Sequence, residues 1–76
     1  MEWVKNVGRK IKSERYSWGM SRRRLARLSH VDVETIEEIE QGKIEPDFYD
    51  MLNICDVLES SVYFYLIDDK PNKEKR

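Results

Sequence analysis

An all-α domain of five short helices, compact and single, is the fold class this chain predicts, and three observations predict it. Apolar residues recur at three- and four-residue spacing in five separate segments. Each segment starts at a capping residue or stops at a glycine. No segment alternates apolar and polar residues as a half-buried strand does, and the connections are short.

The elements follow in order. Trp3, Val4, Val7 and Ile11 recur at helical spacing with Arg9, Lys10 and Lys12 between them, which makes an amphipathic first helix from about residue 2 to 17, ended by Gly19. Ser21 is a suitable N-cap for a second helix whose apolar side is Leu25, Ala26 and Leu28. Asp32 can cap a third helix that buries Val33 or Val31 together with Ile36 and Ile39, and Gly42 supplies its ending residue. In the connection that follows, Pro46 blocks helix continuation and Asp47 can cap a fourth helix with the stripe Phe48, Met51, Leu52, Cys55 and Leu58. Ser60 and Ser61 precede a fifth helix from 62 to about 67. Residues 1–67 therefore form the domain, and residues 68–76 are a charged tail expected to be disordered.

A chain of 76 residues buries only about 60% of its unfolded surface, so it has one small core and little room for a catalytic cleft. The single cysteine, Cys55, forms no internal disulfide, and no Cys/His set has zinc-ligand spacing. With no signal-peptide pattern and no apolar run near the ~18 residues that a spanning helix needs, a cytoplasmic protein without membrane contact is expected. No nucleophile has a base beside it, and no glycine-rich loop cradles a phosphate, so neither an enzyme nor a cofactor is expected.

The net charge of −1 conceals a bipolar chain. Residues 1–30 hold nine basic and two acidic residues, whereas residues 31–69 hold twelve acidic residues and only Lys43, formal charges of about +7 and −11. Such a molecule can press a basic face to phosphates, pair with an oppositely charged partner or stack on itself. Arg22, Arg23 and Arg24 stand in the first turn of the second helix, where the macrodipole disfavours cations by up to ~1 kcal/mol each. A bound anion would relieve that cost; so would simple solvation.

Residues 7–66 resemble the phage-repressor-like, Cro-type or XRE-type, helix-turn-helix family. The residues that carry the likeness are Gly8, Ile11 and Arg15 on the first helix; Gly19, Ser21, Leu25 and Ala26 on the second; and Val31, Asp32, Ile36, Glu40 and Gly42 around the third. The resemblance implies the lambda-repressor-like fold, with the third helix, 32–41, laid in the major groove of double-stranded DNA. It implies an ion pair between Arg15 and Glu40, phosphate contacts from Arg22, with Arg23 beside it, and from Lys43, and base-facing positions at Val33, Glu34 and Glu38, with Thr35 and Glu37 beside them.

Two departures from the family pattern stand out. Carboxylates at Glu34, Glu37 and Glu38 can only accept hydrogen bonds, chiefly from cytosine N4, and phosphates repel them. They either sharpen specificity or serve helix solubility. His30 occupies the turn position that usually holds glycine, and Glu59 does the same after the fourth helix, so both are expected at positive φ.

The segment Val62-Tyr63-Phe64-Tyr65-Leu66-Ile67 has more large side chains than a short helix can bury on one face. Tyr63, Phe64 and Ile67 are candidates for a homodimer contact, as the resemblance implies for this region, with Trp18 a further candidate; covering a small core is the other reading. Two functions follow. One is a small sequence-specific DNA-binding transcriptional regulator, a repressor of phage or mobile-element type. The alternative is the same fold repurposed for protein interaction through its acidic third helix, as an antirepressor, an antitoxin or a phage factor.

Overall fold

The computed structural model describes residues 2–66; Ile67 and the tail 68–76 lie outside the described residues. Five helices follow one another: α1 (Glu2–Ser17), α2 (Arg22–Ser29), α3 (Val33–Glu40), α4 (Phe48–Leu58) and α5 (Val62–Leu66). Their interior is a single cluster built on Val7, Ile11, Leu25, Val31, Ile36, Ile39, Met51, Ile54, Cys55, Leu58 and Tyr65. Burying each of the larger aliphatic side chains contributes about 1.5–3 kcal/mol, so this cluster holds the helix pair α2–α3 in place.

Local chemistry explains most of the boundaries. Gly19 takes φ +64 after α1, and Ser21 accepts the Arg24 N–H at 3.0 Å to cap α2. His30 ends α2 in the left-handed region at φ 61, and the backbone N–H of Val31 still reaches Ala26 O at 3.2 Å. Glu59 ends α4 in the same way at φ 57. Asp47 caps α4 through Tyr49 N–H at 3.1 Å. Asp32 occupies the cap position of α3 but accepts no side-chain cap bond, so that helix starts without the stabilisation expected of its aspartate.

Side-chain placement corrects the expected stripes. Val31, in the turn, is buried and Val33 is exposed. Trp3, Leu28, Phe48 and Leu52 all lie on the surface, and Ile54 takes the central place on α4. The reason is angular: Met51, Ile54, Cys55 and Leu58 follow the 3–1–3 spacing of one helical face, and a helix of 11 residues packed on α2 and α5 has no second face to bury. No helix among the described residues is long and apolar enough to cross a membrane.

Gly8 sets the crossing of α1 over α3. A Cβ there would collide with the Ile39 carbonyl and lie 2.9 Å from Glu40 O, so only glycine lets the α1 backbone approach the end of α3. That close approach brings the C-terminal ends of both helices within reach of one ion pair.

Candidate nucleic-acid interface

Arg15, near the end of α1, meets Glu40, the last residue of α3, in a two-pronged contact. Nε donates to Oε2 at 2.7 Å and Nη2 to Oε1 at 3.0 Å, while Nη1 donates to the Met20 carbonyl at 2.7 Å. The side chains are 4% and 1% exposed. Hydrogen bonding to Glu40 raises the Arg15 pKa against the opposing effect of burial, so the guanidinium stays charged at any working pH. A buried fork of this kind fixes the relative placement of two helices more than it adds net stability.

Arg22 completes the cluster, a feature that sequence reading missed. Its Nε donates to Glu40 Oε1 at 3.1 Å, with 35% of its side chain still open to solvent. One carboxylate thus serves two guanidinium groups, leaving a local surplus of positive charge at the start of α2. The missed signal was the buried position of Glu40: a carboxylate with two inward oxygens accepts more than a single arginine fork.

Around this cluster the turn between α2 and α3 forms two shallow grooves. The first is lined by Arg23, Ala26, Arg27, His30, Val31, Asp32 and Val33. The second, at the start of α2, is lined by Arg15, Tyr16, Ser21, Arg22, Arg23, Val33 and Glu37. Arg23 and Val33 border both. The structure therefore places Arg22, Arg23 and Val33 together, and Glu34 and Glu38 on the solvent side of α3. Thr35 is half-buried, which leaves it less available than its neighbours. Lys43 is exposed just past α3, where its backbone N–H closes the helix onto Glu38 O at 2.9 Å.

The outward face of α3 is acidic, carrying Glu34, Glu37 and Glu38, but Glu40 is turned inward and neutralised. On α5, which packs on α1, Tyr63 is 74% exposed and Phe64 39%, whereas Tyr65 is buried. Trp18 is half exposed, yet its indole N–H donates to Leu58 O at 3.1 Å and ties α1 to α4.

Two short helices at a tight turn, locked from behind by an Arg–Glu pair and packed in a five-helix bundle, define an all-α helix-turn-helix domain. The Helix-turn-helix family model matches residues 11–64, and the chain belongs to that family, in its XRE type. Among solved structures it is similar to the Clp gene regulator ClgR from Corynebacterium glutamicum, at 28% identity and a TM-score of 0.79, over 84% of this chain and 68% of that one. Among curated proteins no match was found.

Proposed function

We propose that this chain is a small sequence-specific DNA-binding transcriptional regulator that sets α3 in the major groove and acts in the cytoplasm as a repressor of phage or mobile-element type. The observation that carries the reading is the juxtaposition of Arg22, Arg23 and exposed Val33 at two adjoining grooves of a helix-turn-helix unit. Arg22, Arg23 and Lys43 grip backbone phosphates and set the register. Val33 touches a thymine methyl, and Glu34 or Glu38 accepts from a cytosine N4. The glutamates lower affinity for arbitrary DNA, which raises the ratio of specific to nonspecific binding.

Tyr63 and Phe64 form the contact of a homodimer, joined by Ile67, and the dimer reads a two-fold operator with half-sites ~34 Å apart. No catalytic role belongs to this reading. The resemblance of the solved neighbour, named as a gene regulator, supports it.

A second reading has its own observation: Glu34, Glu37 and Glu38 are all exposed beside exposed Val33, an acidic and partly apolar ridge that suits a basic protein partner. Selection of bound sequences from random and genomic DNA pools at low and near-physiological salt decides between them. An enriched palindrome whose affinity falls steeply with salt establishes the regulator. Absence of enrichment at both salts, with a partner retained by the wild type and lost in Glu34→Lys/Glu38→Lys, establishes the interaction module instead.

A further inference from the structure

The basic half of the chain exceeds what the helix-turn-helix unit uses. Lys5, Arg9, Lys12 and Tyr16 stand four, three and four residues apart, so they share one face of α1 along about 16 Å of helix. Arg9, Lys12 and Tyr16 line one continuous shallow groove. Lys12 Nζ lies 5.8 Å from the centre of the Tyr16 ring, and Arg9 is held by the Asn6 side-chain carbonyl.

Both ends of this stripe adjoin the parts assigned to phosphates. At one end, Tyr16 is shared with the groove of Arg22 and Arg23 at the start of α2. At the other, Lys5 packs on the loop after α3: a Cβ at Gly42 would lie 2.9 Å from Lys5 Cγ, and Lys43 follows directly. The Arg15–Glu40 and Arg22–Glu40 ion pairs, both among the described residues, involve none of Lys5, Arg9 and Lys12.

We propose that the Lys5–Arg9–Lys12 stripe of α1 is a second contact line for the backbone of duplex DNA, bridging the phosphate anchors at the start of α2 and at Lys43. The proposal rests on the DNA-binding reading and extends it. Its physical logic is charge balance. The acidic ridge of α3 repels the same phosphates that Arg22, Arg23 and Lys43 attract, and three further cations beside them restore affinity without contributing to sequence choice. A duplex offers a charge every 3.4 Å along each strand, so a 16 Å stripe, about the length estimated from helix rise, meets several phosphates.

The test is the salt dependence of duplex binding for the full chain and for Lys5→Gln/Arg9→Gln/Lys12→Gln, using the sequence enriched from the pools, or an arbitrary duplex if none is enriched. Lys5 and Arg9 are exposed and Lys12 is half-buried, and a thermal unfolding curve verifies that the variant is folded. The expected result is a log affinity against log salt slope shallower by roughly 2–3, with the same preferred sequence. A charge-matched control, Tyr49→Asp/Asn53→Asp/Ser61→Asp, changes exposed positions on α4 and at the start of α5 and should leave most of the slope intact. An unchanged slope in the α1 variant, or an equal loss in the control, overturns the stripe while leaving the regulator reading standing. Shallower binding to duplexes of any sequence, with no enriched motif, supports the stripe and sinks sequence-specific regulation. No duplex binding by the wild type at either salt overturns both.

Discussion

Glu40 is the residue on which the helix pair turns. Its carboxylate is 1% exposed and accepts from both Arg15 and Arg22. Glu40→Ala would leave the Arg15 guanidinium buried without a carboxylate, held by the Met20 carbonyl and the Tyr16 ring, and is expected to cost about 3–5 kcal/mol. Urea unfolding measures it; a loss below about 1 kcal/mol would show that the pair is dispensable. Arg22→Ala should behave differently, because Arg15 still satisfies the carboxylate and Arg22 is partly solvated. A stability loss within about 1 kcal/mol is expected, together with weaker duplex binding and a salt slope shallower by about 0.9. Wild-type duplex affinity and slope in this variant would remove Arg22 from the proposed interface.

At the scale of elements, the turn between α2 and α3 bears a local strain that helix patterning alone does not remove. His30 sits at φ 61, a region that L side chains tolerate poorly and glycine enters without cost. His30→Gly is therefore expected to stabilise the domain by about 0.5–1 kcal/mol, the relief at positive φ exceeding glycine's extra entropy in the unfolded chain. Thermal unfolding with a lowered midpoint would mean that the His30 side chain holds the turn in some other way. The positive φ at His30 and Glu59 was legible in the sequence because both replace a glycine at a helix end, where the backbone must reverse. The inward stripe of α4 was not. Phe48 and Leu52 are as apolar as Met51 and Leu58, and only the packing of α4 on α2 and α5 turns the Met51–Ile54–Cys55–Leu58 face to the core.

For the molecule as a whole, the small core sets an upper limit in pH. Burial pushes the Cys55 thiol from its ordinary value near 9 to about 11, and the Tyr65 phenol from near 10 to about 12. Both groups are neutral acids held in the interior, so unfolding releases their protons more readily than the native state does. Their contribution to stability is complete below pH about 9 and is lost as pH rises through 9 to 12. Unfolding free energies at pH 7, 8 and 10.5 should be nearly level between the first two and fall at the third, and Cys55→Ala should lessen that fall. A fall of equal size in Cys55→Ala would point to another group.

The sequence by itself determined the five helices, the ends of α1 to α4, the helix-turn-helix register and the meeting of Arg15 with Glu40. These depend on local spacing, on capping residues and glycines, and on motif residues whose identities carry the family pattern. Only the tertiary structure decided which apolar residues are inside, that Arg22 shares Glu40 with Arg15, and that Lys5, on α1, lies against the loop holding Gly42. Those outcomes depend on contacts between residues far apart in the chain, and helical periodicity, which places a side chain on a face, says nothing of which neighbour that face will meet.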